Sequence, residues 1–298
     1  MADTRAQAYA EQLNLLTKQA EALSPDVRAR IRKLLDDLNR EILADVARAN
    51  PDSYNAARLA ALKEQVDRAM RQFSDQASAE VQKMEATAYS QVALQVDATV
   101  AAAAGGVIVQ PVIDTALLQV VQGYTADLIT GLTSDAAAKV NAAIQRGALG
   151  RLNLSELTEQ IGRALEGGKF SGMFSEVAER AMSIATNEVM RVQSLASDAR
   201  INALAEHNHN IEAIWKHIPV ARVPRVGHLL ADGQIRKAGE PFLIEGELLR
   251  YPRDPAGSAE NTINCHCLKL PYIAEAHLKP TEGDRALLRS YGLSVQAA

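Results

Sequence analysis

Two cysteines one residue apart, Cys265 and Cys267, are the side chains of this sequence best suited to chemistry. Along an extended segment side chains alternate between faces, so both sulfurs fall on one side and His266 on the other. Two thiolates and an imidazole make up most of a tetrahedral zinc site. The competing reading is that both cysteines are small buried hydrophobes and the nearby histidines ordinary polar residues. A structural disulfide between positions so close fits poorly with disulfide geometry, which favours a reducing compartment with the thiols free or metal-bound.

Other unusual residues crowd into the same region. Trp215 to Cys267 holds the one Trp, both Cys, three of the six His and five of the ten Pro. Pro and Gly punctuate short apolar runs such as Phe242-Leu-Ile and Glu247-Leu-Leu, a pattern of short strands and turns. Residues 207–298 therefore read as a compact α+β module. It carries no Gly-rich phosphate loop, no His-Glu-x-x-His and no EF-hand pattern.

The elements that must position this module are helical, and the fold class is mainly α. Aromatics are 4% of the chain, too few for a thick mixed core and suited to extended Ala-rich helices. Residues 1–104 read as a long-helix arm or bundle. Leu13, Leu16, Ala20 and Leu23 share a stripe; Ser24-Pro25-Asp26 restarts a helix carrying Ile31, Leu34, Leu35, Leu38, Ile42 and Val46; Asn50-Pro51-Asp52 breaks it. A further helix holds Leu59, Leu62, Val66, Met70 and Phe73 and continues to Ala104. Residues 105–206 form a helical lead-in with shorter steps. Thr133-Ser134-Asp135 starts one helix, and Asn153-Leu-Ser-Glu156, a capping-box variant, starts another that Gly167-Gly168 ends. A long helix from about Ser175 to Glu206 follows, with Glu188 and Arg191 spaced as an intrahelical ion pair.

Net charge is -4, so the chain as a whole has no polybasic footprint. Locally Lys216, Arg222, Arg225, Arg236 and Lys237 face one acid, Asp232, a cluster that suits an acidic partner or, less well, DNA. Met1 to Arg30 lacks the apolar core of a signal peptide. The run Ala98 to Val121 is interrupted by Gln110, Pro111, Asp114 and Gln119, short of the ~20 apolar residues of a membrane span, and reads as a buried helix-turn-helix.

The ordered series of these features resembles the tailed-bacteriophage head-morphogenesis family, the Mu F-like minor head proteins. It comprises a helix with Glu188-x-x-Arg191, then Trp215, Arg222-Val223, His228, Asp232-Gly233-Gln234, Pro241-Phe242, Gly246, Pro252-Arg-Asp-Pro255 and Asn264-Cys-x-Cys267. The likeness spans about Thr130 to Leu270. An acid that the family carries shortly after the Trp is replaced here by Pro219-Val220-Ala221. The resemblance places His228 in the module of the cysteines and so makes it the third zinc ligand. Asp232, His217, His209 and His207 remain open as the fourth.

What the resemblance implies is a structural virion protein and not an enzyme: a minor head protein acting in head assembly near the portal, and in packaging or delivery of the genome. Its expected partners are the portal protein, the major capsid or scaffolding protein and further copies of itself, and its expected place is the phage head, assembled in the host cytoplasm. Two other classes compete. Glu188, Arg191 and His228 could line an ADP-ribosyltransferase-like or nuclease-like toxin pocket, or Cys265 or Cys267 could act as a nucleophile with His228 as base, although no oxyanion or substrate motif accompanies them. A DNA-binding protein ejected with the genome would use the Lys216 to Lys237 cluster.

Overall fold

A computed structural model of the chain describes residues 2–49, 56–104, 115–151, 153–165, 169–219 and 225–274. Four long helices dominate it: α1 (Ala2–Arg48), α2 (Ala56–Ala104), α3 (Thr115–Arg146) and α5 (Gly172–Ala205), with α3 running into a single π-helical turn at Gly147–Arg151. Short α4 (Leu154–Ile161) and a hairpin of β1 (Ala164–Leu165) and β2 (Lys169–Phe170) link α3 to α5. No helix among the described residues is long and apolar enough to cross a membrane.

Stripes at helical spacing form the bundle core. Ile31, Leu35, Leu38 and Ile42 of α1 meet Leu62, Val66 and Phe73 of α2, Ile129, Leu132 and Val140 of α3, and Phe174, Val177 and Ala181 of α5. This core runs across the division between residues 1–104 and 105–206, because no two of these helices can cover their apolar faces without the others.

The other ends of the same helices pack on the C-terminal module. Leu16 and Ala20 of α1 meet Ile218, Leu268 and Leu270, while Val92 and Val96 of α2 and Val192 and Ile201 of α5 join Trp215 and Phe242. The Tyr9 hydroxyl donates to the Pro271 carbonyl at 2.7 Å across 262 residues of sequence, and burial pushes the Tyr9 phenol well above its ordinary range.

Three helix boundaries differ from those that local signals indicate. Ser24-Pro25-Asp26 starts nothing: α1 passes through it with Pro25 inside. A mid-helix Pro costs ~3 kcal/mol. Here it stands between the part of α1 that packs on the module and the part in the bundle core, and burial on both sides offsets the lost bond. Thr133-Ser134-Asp135 likewise lies within α3, where the Thr133 hydroxyl donates back to the Ile129 and Thr130 carbonyls instead of capping a new turn. Helix α4 ends at Ile161, before Gly167-Gly168, which lie outside the described residues, as do Asn50-Pro51-Asp52 and residues 105–114. Its stop is Gly162, at φ 95°, where a Cβ would sit 1.8 Å from the Ser171 carbonyl oxygen.

The capping box at the start of α4 is present. The Asn153 side chain accepts from the Glu156 N–H at 2.9 Å, and the Glu156 carboxylate accepts from the Asn153 N–H at 2.8 Å. Asn153→Ala is expected to cost ~1 kcal/mol, read as a lower urea midpoint at unchanged slope.

In the C-terminal module β3 (Glu212–Lys216) is the centre of a three-stranded antiparallel sheet, between β4 (Ile235–Lys237) and β7 (Leu268–Tyr272). Strands β5 (Phe242–Ile244) and β6 (Glu247–Leu249) form a hairpin whose two turn residues, Glu245 and Gly246, both have positive φ, as a tight two-residue turn requires. Short helices α6 (Val226–Leu230) and α7 (Ala259–Thr262) complete it. The chain is thus mainly α, with long N-terminal helices and a small sheet module at the C-terminus, as its sequence implies.

Candidate metal centre

The Cys-x-Cys segment lies between α7 and β7, entering the sheet at Leu268. Cys265 and Cys267 are buried, whereas His266 is half-buried and turned to a cavity beside Ala20, Pro25 and Met190. The alternation expected of an extended segment holds. His228 comes from α6, whose start is fixed on the β5–β6 turn: the Gly227 N–H donates to the Glu245 carboxylate at 2.9 Å, and a Cβ on Gly227 would collide with that side chain.

So held, His228 places Nδ1 3.3 Å from the Cys267 sulfur and 3.5 Å from the Cys265 sulfur, with Nε2 3.4 Å from the Asn261 side-chain oxygen. The ligand atoms of His228, Cys265 and Cys267 all lie within 4.8 Å of one another, and the group could hold a metal ion. Tetrahedral zinc bonds of ~2.3 Å to sulfur and ~2.0 Å to nitrogen imply N···S edges of about 3.5 Å, so the spacing fits that ion. Asn261 is placed to accept the Nε2 proton, which leaves the Nδ1 lone pair for a metal.

The thiols themselves are predisposed to ionise once. A hydrogen bond from Cys267 holds the Cys265 thiol well below its ordinary range, helped by His228 and the charge of Arg253; the same hydrogen bond, with burial, keeps the proton on Cys267. Trp215, fully buried, closes the site from the sheet side, its ring edge-on to His228 at 6.1 Å and to Phe242 at 5.4 Å.

Of the open fourth ligands, only His217 reaches the sulfurs: its Nδ1 is 3.6 Å from the Cys267 sulfur. Burial pulls its imidazole pKa down, toward the neutral form that can ligate. Asp232 is engaged elsewhere, accepting from the His217 N–H at 2.8 Å and from Lys216 at 3.2 Å. His207 is exposed and bonds the Ala203 carbonyl at the end of α5, a favourable place for a ring near a helix C-terminus, and His209 is exposed in the turn that follows.

No family model matches this chain, and no solved structure matches it. Over 98 residues it is 32% identical to the uncharacterized protein YqbB of Bacillus subtilis (strain 168). That stretch spans 32% of this chain and 31% of YqbB, under a third of either length.

Glu188 and Arg191 form the ion pair that their spacing implies, but it is buried and joined to other elements. Asn187 donates to Glu188 at 3.2 Å, the Arg191 Nε–H donates to the Arg253 carbonyl at 3.1 Å, and the guanidinium lies over the Tyr124 ring. Burial raises the Glu188 carboxyl despite the charge of Arg191. Glu85 of α2 lies close enough to feel both charges; its carboxyl accepts from the Thr125 hydroxyl at 2.7 Å, and burial pushes it up to about 7.

Arg253 stands in the Pro252-Arg-Asp-Pro255 stretch of the ordered series, and nothing in the sequence assigns it a role of its own. It is fully buried with φ 67°, and Nη1 donates to the Met190 carbonyl, the Ser194 hydroxyl and the Cys267 carbonyl at 3.2, 3.0 and 3.4 Å. Burial lowers its pKa, and the negative charge on the cysteine pair opposes that shift. Next to it, burial raises Asp254, but hydrogen bonds from Arg250 and the Ala256 N–H outweigh this and hold the carboxyl below its usual range.

The basic cluster is partly engaged. Lys216 pairs with Asp232, Arg225 donates to the Ile263 carbonyl at 2.7 Å and Arg236 to that of Ile235 at 2.9 Å; Lys237 is exposed, and Arg222 lies outside the described residues.

Proposed function

We propose that this chain is a minor head protein of a tailed bacteriophage, a structural component that acts in head assembly near the portal and carries a zinc ion at Cys265, Cys267 and His228. One observation supports the structural reading most: the residues of the ordered series are spent on one another in the interior. Glu188 binds Arg191, Arg191 reaches Arg253, Arg253 reaches Cys267, and His228 meets both cysteines under Trp215. Glu188, His228 and Arg253 are each at most 2% exposed. An enzyme needs such groups converging on a concave surface open to substrate, whereas an assembly part uses them to hold a shape.

Bound zinc would cross-link α6 to the Cys-x-Cys segment. The portal protein, the major capsid or scaffolding protein and further copies of the chain are its proposed partners, and the particle interior its proposed place. Quantitative mass spectrometry of gradient-purified procapsids and virions is expected to find the chain at low copy relative to the major capsid protein. Its absence from both particles removes this reading.

A further inference from the structure

We propose that His217 is the fourth ligand and that the centre is a closed Cys2His2 tetrahedron formed by His217, His228, Cys265 and Cys267. The inference rests on the zinc reading above and adds that no coordination position is left for water or substrate.

The fold itself brings His217 to the site. Strands β3 and β7 pair antiparallel with Lys216 opposite Leu268 as the last rung. One step further the same register sets His217 opposite Cys267, and cross-strand neighbours have Cβ atoms ~5 Å apart. Its Nδ1 accordingly lies 3.6 Å from the Cys267 sulfur, the edge length that a tetrahedral site implies. His217 stands outside the group whose ligand atoms are all within 4.8 Å of one another, so closing the tetrahedron takes a turn of its ring toward Cys265 and His228.

Nothing else among the described residues claims the ring. His217 is 9% exposed and its Nε2 is buried without a hydrogen-bond partner. Asp232, which accepts the backbone N–H of His217, then acts as a clamp on the strand end and not as a ligand. A fourth protein ligand separates a structural centre from a catalytic one, since catalytic zinc keeps a position open.

The test uses the full-length chain loaded with zinc, with affinity from competition against a chelator and coordination from X-ray absorption. Wild type is expected to show two sulfur and two nitrogen neighbours. His217→Ala should lose one imidazole and bind zinc at least about tenfold more weakly, no less than loss of an outer-shell partner costs. His217→Cys, which restores a ligand, should bind zinc with three sulfurs, and keeps the test open if the Ala variant does not fold. Unchanged affinity and coordination in His217→Ala overturns the proposal. So does loss of a ligand in Asp232→Ala with retention in His217→Ala. Failure of wild type to bind zinc at all overturns the zinc reading itself and this proposal with it.

Discussion

Cys265→Ser is expected to lose its zinc and, with it, the folded C-terminal module, while most of the helical signal persists. The strands around the site are three to five residues long, too short to be stable by themselves. Zinc at such a structural site contributes an apparent ~10–16 kcal/mol near neutral pH, comparable to the whole stability of a small domain. The substitution also takes the readily ionised sulfur from beside Arg253, a buried cation whose other partners are carbonyls, a hydroxyl and a thioether. Trp215, fully buried in the folded module, reports the change: its emission should move to the red in the variant and in wild type treated with chelator. The bundle core of α1, α2, α3 and α5 contains neither cysteine, so far-UV circular dichroism should fall only modestly. His266→Ala should keep its zinc, because that ring faces the opposite side of the segment. A wild-type protein that contains no zinc, and whose Trp215 emission ignores chelator, would show that the cysteines are simply packed.

Glu85→Gln is expected to stabilise the fold at pH 8 by up to about 3 kcal/mol and to change nothing near pH 4. The Glu85 carboxyl titrates near 7 in the folded chain against 4.5 for an ordinary glutamate, burial being the main cause. A raised carboxyl pKa means that the folded state keeps a proton which the unfolded state releases. Wild-type stability therefore falls as pH climbs from about 4.5 to 7 and is flat beyond, and each pKa unit is worth ~1.4 kcal/mol. Gln retains an oxygen for the Thr125 hydroxyl and puts a donor where the second carboxylate oxygen has no partner. Glu188 and Arg191 also face this position, the first raising and the second lowering the Glu85 carboxyl, so the difference between variant and wild type carries both couplings along with burial. Urea unfolding at pH 4, 6 and 8 measures it. A variant less stable than wild type at pH 8 would mean that Arg191 stabilises the charged form by more than burial costs it.

The helices were legible because what makes them is local. The stripe Ile31, Leu35, Leu38, Ile42 and the Asn153–Glu156 capping box each fall within a few turns of chain, and both stand in the structure. The Cys-x-Cys alternation was legible for the same reason: a period of two needs no knowledge of the rest of the fold. Tertiary packing decided what these signals could not. Pro25 and Thr133 carry local marks of a helix start, yet lie inside α1 and α3, because burial along both flanks outweighs one missing hydrogen bond or one misplaced cap. Residues 1–104 and 105–206 looked separable, since a stripe shows that a face is covered but not what covers it. That His217, and not Asp232, His207 or His209, stands beside the Cys267 sulfur follows from the β3–β7 register, a pairing between residues some fifty positions apart in the sequence. Arg253 belongs to the Pro252-Arg-Asp-Pro255 stretch, but its interior role is not legible there. A charged residue in a Pro-rich stretch reads as solvated, and only the closing of the fold over Met190, Ser194 and Cys267 makes it an interior cation.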